Sequence, residues 1–60
     1  MKGKFKNLET GDILTANGNT ENKTVMGKEF ILAQCTDQNG KCFLIPVQRL
    51  SNINFFTPIN

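Results

Sequence analysis

The chain contains no histidine, no tryptophan and no tyrosine. Without histidine, the side chain whose ordinary pKa supplies a general base near neutral pH is missing. The carboxylates Glu9, Asp12, Glu21, Glu29 and Asp37 are dispersed, and no two stand at a spacing suited to paired acid–base work. The glycines are single and turn-like, so no phosphate-cradling loop is present. Two cysteines, Cys35 and Cys42, cannot complete the four-ligand shell of a structural zinc site. Neither an enzyme nor a cofactor or metal centre is expected. No apolar run approaches the roughly 18 residues that a membrane span needs. The opening "MKGKFKNLETGD" has lysines but no apolar core of a signal peptide. The expected location is therefore cytoplasmic, with reduced thiols.

What is present is modest. Sixty residues allow one domain, 1–60, and a chain this short buries only about 60% of its unfolded surface. The aromatic residues are Phe5, Phe30, Phe43, Phe55 and Phe56. All are plain hydrophobes, which suits a core better than a recognition surface rich in Tyr and Trp. Seven basic and five acidic groups give a net charge of +2. That excludes an acidic nucleic-acid mimic and permits nucleic-acid contact without demanding it.

Short apolar runs separated by Asn-Gly and Gly-Asn steps belong to short strands and tight turns. After a basic N-terminal segment, 1–6, a turn at Glu9–Asp12 leads into a strand over Asp12–Ala16. Asn17–Asn22 reads as a mobile polar loop and Lys23–Gly27 as a second strand, with Gly27 at a bulge or bend.

The stretch "ILAQCTDQNGKCFLIPV", residues 31–47, specifies more. Asp and Gly are favoured at the first and fourth positions of a type I turn, and Asp37-Gln38-Asn39-Gly40 supplies both. A three-residue loop with Gly40 in the left-handed bulge position pairs Thr36 with Cys42 and Cys35 with Phe43. One face then holds Ile31, Ala33, Cys35, Phe43, Ile45 and Val47, all apolar. A one-residue slip would flip one strand relative to the other and mix the faces. The same register sets Cys35 towards the core and Cys42 outwards, so no disulfide is expected. Pro46 belongs near a strand end or an edge. Val47–Ile53 reads as a single helical or 3₁₀ turn, since Val47, Leu50 and Ile53 recur every three residues. Ile53–Thr57 reads as the last strand, ended by Pro58.

The "LETGDIL" turn and strand, polar loop, tight hairpin and short turn before a final strand resemble the small SH3-like barrel. The resemblance covers Asn7–Thr57 and rests on layout. It implies an all-β fold of about five short antiparallel strands with a short 3₁₀ turn before the last. The chain lacks the groove aromatics of peptide-binding SH3 domains and has no clear match to the nucleic-acid-binding members, so no function is carried over. An OB-like barrel fits such a short chain less well, and an open meander satisfies the same pattern.

Two binding readings follow. Phe55 and Phe56 are adjacent, so in a strand one fills the core and the other points out. Leu32 and Leu44 fall on the outward side of the hairpin, and with the outward Phe they would form an apolar partner-binding patch. Its partner would be another protein or a second copy in a homodimer, unless Phe5 folds over it. In size and in its Asn- and Lys-rich composition the chain resembles phage or mobile-element accessory proteins that bind host machinery. The alternative is a nucleic-acid binder. Lys2, Lys4 and Lys6 alternate with Gly3, Phe5 and Asn7, so an extended strand would project three charges to one side, with Phe5 free to stack on a base. Lys28, Lys41 and Arg49 are the other basic candidates. The competing structural reading of the lysines is a solubilising edge strand. The protein-docking reading is preferred at this level because the net charge is low.

Overall fold

The computed structural model describes residues 2–59, so Met1 of the basic 1–6 segment and Asn60 lie outside it. Five antiparallel strands form one sheet: β1 (Lys2–Asn7), β2 (Ile13–Val25), β3 (Lys28–Asp37), β4 (Cys42–Pro46) and β5 (Phe56–Ile59). One helical turn, α1 (Val47–Leu50), precedes β5. The order across the sheet is β4-β3-β2-β1-β5. The all-β class is as expected, but the barrel is not closed: β4 and β5 are the two edges of an open sheet.

The central hairpin has the register that its hydrophobic pattern specifies. Thr36 opposes Cys42, Cys35 opposes Phe43 and Ala33 opposes Ile45. Gly40 takes φ +83°, a conformation that costs glycine nothing for want of a Cβ. The Asp37 amide donates to the Lys41 carbonyl at 2.9 Å. The Asp37 carboxylate accepts from the amides of Asn39 and Lys41 at 2.9 and 2.8 Å. Cys35 is buried and Cys42 exposed, both as free thiols on opposite faces.

Other local expectations are corrected. Asn17–Asn22 is not a separate loop: it lies inside β2, whose pairing with β3 shifts register between Ala16 and Thr20. Three residues there stand opposite Gln34 alone, a bulge that bends the strand while the ladder continues. The Asn17 side chain accepts from the Asn19 amide at 2.8 Å, so the residues that look like a turn shape the bulge instead. Gly27 lies in the two-residue turn joining β2 to β3, not in a strand bulge. The N-terminal segment is not an edge strand, since β1 pairs with both β2 and β5. The short turn before β5 is α-helical, and β5 starts at Phe56 and runs through Pro58. Pro58 is tolerated because β5 is an edge, where a strand needs donors on one side only. The three-residue recurrence does not extend to Ile53, which lies beyond α1 and is 80% exposed.

The core is small: Leu14, Ala16, Ala33, Cys35, Leu50 and Phe56, with Phe5, Ile45 and Val47 packed against it. Small side chains in the middle of β2 and β3 leave room over the sheet for Leu50 and Phe56. Beyond the bulge β2 and β3 keep pairing from Thr20–Ala33 to Val25–Lys28, and past the last β4 pair, Leu32–Pro46, they continue as a two-stranded arm, Asn22–Val25 against Lys28–Ile31. Every residue from 17 to 31 is exposed, and the molecule measures 34 × 23 × 17 Å.

Candidate functional site

Strand pairing decides which side chains share a face, because opposed residues in a ladder point the same way. Phe5, Leu14 and Ala16 mark the core face of β1 and β2. Lys2, Lys4 and Lys6 are exposed on the opposite, outer face, where they oppose Asn17, Thr15 and Ile13. Thr15 in turn opposes Thr36, and Thr36 opposes Cys42. On the other side Lys4 opposes Ile59. One outer row therefore runs Cys42, Thr36, Thr15, Lys4, Ile59 across all five strands.

The same parity can be followed along β3, which has no bulge of its own. Thr36, Gln34, Leu32, Phe30 and Lys28 all face outwards. Lys23 stands opposite Phe30, and Val25 opposite Lys28. The outer face thus carries Lys2, Lys4, Lys6, Lys23 and Lys28, five of the seven basic residues. Glu21, opposite Leu32, is the one acidic residue on it, and it accepts from the Gln34 amide at 3.4 Å. The remaining carboxylates are elsewhere. Glu29 is on the opposite face of the arm, Asp37 holds the β3–β4 turn, and Glu9 and Asp12 lie in the β1–β2 turn. Asp12 accepts from Thr10 at 3.0 Å and from Gln38 at 3.1 Å, which ties the two turns together. No group of three metal-ligating side chains gathers among the described residues.

Lys41 and Arg49 do not join the lysine face. Lys41 lies over the Phe43 ring at 5.4 Å, and Arg49 over Phe55 at 4.5 Å. Lys28 and Lys41 flank opposite ends of the ten-residue β3, about 30 Å apart at the usual strand rise. Phe5 packs against the core, so it is not available to stack on a base. The aromatic residue on the lysine face is Phe30. Lys23 and Phe30 were missed because nothing local says which strands pair beyond the Asn-Gly bulge.

The apolar candidates separate. Phe56 is 5% exposed and belongs to the core, so, contrary to expectation, it offers no surface to a partner. Phe55 is 39% exposed and Leu44 49%, while Leu32 is half-buried. Phe55 lies in the turn before β5 rather than in a strand. Its backbone is held by the Asn52 carbonyl at 3.0 Å, and its own carbonyl accepts from Leu8 at 2.9 Å. A shallow depression lined by Pro46, Gln48, Arg49, Asn52 and Phe55 connects it to the end of β4. Pro46 opposes Leu32, so it links Phe55 to the leucines, a neighbour that no local sequence signal reveals. Phe5 does not cover this patch, being on the core face. Burial pushes the Cys35 thiol above its ordinary pKa, which makes it a poor nucleophile.

No protein-family model, curated protein or solved structure matches the chain.

Proposed function

We propose that the protein is a non-enzymatic binding module whose outer sheet face holds nucleic acid. The observation that supports this is the segregation of charge: five lysines and a single glutamate share one continuous face. A phosphate backbone is bound chiefly by such sequence-independent cationic contacts. The lysines of β1 repeat every two residues, about 6.8 Å, which is twice the 3.4 Å axial charge spacing of one DNA strand. Thr15 and Asn17 oppose Lys4 and Lys2, and Thr36 extends their row, adding neutral hydrogen-bonding groups suited to phosphate and sugar. The low net charge, which favoured protein docking at the sequence level, matters less once the charges are sorted by face.

Fluorescence anisotropy of a labelled 20-base-pair duplex tests the proposal. Binding at low salt is expected, with loss when Lys2, Lys4 and Lys6 are all changed to Glu and retention in Lys41→Gln, which lies off that face. A protein that leaves the duplex free at 50 mM salt is not a nucleic-acid binder of this kind.

A second reading rests on the adjacency of Leu32, Leu44, Pro46 and Phe55. That patch would dock another protein or a second copy of the chain, as an accessory factor of phage or mobile-element type would. Here Leu44→Asp is the damaging variant, and sedimentation at micromolar concentration distinguishes a homodimer from a monomer.

A further inference from the structure

The arm ends in a feature that neither the core nor the turn requires. Val25 opposes Lys28, so only Met26 and Gly27 connect the strands. Their φ angles are +51° and +78°, the double left-handed geometry of a primed hairpin turn, where Asn-Gly is the favoured pair. Glycine adopts it freely, whereas a long unbranched side chain at φ +51° is an outlier. Met26 is also 98% exposed, so no packing offsets the strain. Behind it on the outer face, Lys23 opposes Phe30 and Val25 opposes Lys28. Two cations and two apolar groups alternate directly beneath an exposed, flexible thioether.

We propose that the arm is a duplex-engaging finger and that Met26 is its wedge, inserted at a base step of the nucleic acid held by the outer face. This rests on the nucleic-acid reading above and names the duplex as its substrate class. Apolar wedges enter base steps from the minor groove, about 6 Å wide, so only the two-residue tip of the ribbon need enter it while the strands stay outside. From Asn22 to Val25 the two-stranded arm reaches about 10 Å beyond the last β4 pair at the usual strand rise. Lys23 and Lys28 then meet the flanking phosphates, and the tip carries an apolar side chain of the kind that unstacks base steps. Charge favours a duplex over a lipid surface, because the lysines of the arm and of β1 lie along one elongated face rather than around the tip.

A wedge works best where unstacking is already accomplished. The wild-type protein is expected to bind a 20-base-pair duplex with a central two-nucleotide bulge about tenfold more tightly than the intact duplex. Met26→Asn places the favoured residue in the turn, so it is expected to raise the melting temperature by about 5 °C while cutting the bulge preference to about twofold or less. Lys4→Gln with Lys6→Gln weakens binding to both duplexes and leaves their ratio unchanged. Equal affinity of the wild type for the two duplexes, or an unchanged preference in Met26→Asn, overturns the wedge while the outer-face reading stands. Failure to bind either duplex overturns both. Met26-dependent binding to anionic phospholipid vesicles without a bulge preference also overturns the wedge and assigns the tip to lipid.

Discussion

Removing two positive charges should matter only where they are removed. Lys4→Gln/Lys6→Gln and Lys41→Gln/Arg49→Gln lower the net charge equally, but the first pair lies on the outer face and the second does not. If all five outer lysines neutralise phosphates, the logarithm of the binding constant falls with that of salt at a slope of about −4.5. Between 50 and 200 mM salt the affinity then drops about 500-fold. The β1 double variant keeps three contacts, for a slope of about −2.7 and a drop of about 40-fold. The Lys41/Arg49 double variant should retain the wild-type slope. Its cations are stacked on Phe43 and Phe55, and losing them costs on the order of 1 kcal/mol of local contact at each exposed site. Anisotropy titrations at four salt concentrations give the slopes, and thermal melts confirm that all three proteins are folded. Equal slopes for the two double variants would refute the assignment of binding to this face, because net charge alone would then explain the salt dependence.

Four further outcomes follow from burial and from the turn. Phe56→Ala should cost about 3–5 kcal/mol, much of the roughly 3–9 kcal/mol available to a domain of this size, whereas Phe55→Ala should cost about 1 kcal/mol or less; urea melts separate the two, and equal costs would contradict the burial difference. Cys42 should react with a thiol reagent in the native state and Cys35 only on unfolding. Because burial raises the Cys35 pKa from 9.0, the folded state holds a proton that the unfolded chain releases. That stabilisation is complete below about pH 9, is lost as pH rises through the folded value, and should be absent in Cys35→Ala. Asp37→Ala removes both acceptor bonds in the hairpin turn and should cost about 1 kcal/mol, read as a lower melting temperature; no change would mean the turn is set by Gly40 alone.

The β3–β4 hairpin was legible because two independent signals agree on it. Turn chemistry asked for a three-residue loop, and only that loop placed Ile31, Ala33, Cys35, Phe43, Ile45 and Val47 on one face. The observed pairs are the same, although Ile31 projects beyond the core and is exposed. Asn17–Asn22 failed for the opposite reason. Asn-Gly-Asn is a strong local turn signal, and a bulge uses the same side-chain bonds and the same glycine freedom as a turn. Nothing local separates the two; the difference is that β3 is long enough to keep pairing beyond it. Phe55-Phe56 was half legible: one ring does enter the core and the other does not. The chain there turns rather than extends, so the exposed ring meets Arg49 and Pro46 instead of completing a strand.

The site itself shows where local reading stops. The alternation of Lys2, Lys4 and Lys6 is visible in the sequence, and an extended backbone is all it requires. What converts three lysines into a candidate surface is the pairing of β1 with β2 and of β2 with β3, contacts between residues distant in the chain. Through those ladders Lys4 shares a row with Thr15, Thr36 and Cys42, and the parity of β3 carries that face out to Lys28. A one-residue change of register in either pairing would turn the β1 lysines away from the arm lysines. Binding by this face and the observed registers therefore stand or fall together. An insertion of one residue between Ile13 and Ala16 would repair the core only by reversing Phe5 or Leu14, and it would divide the lysines between the two faces.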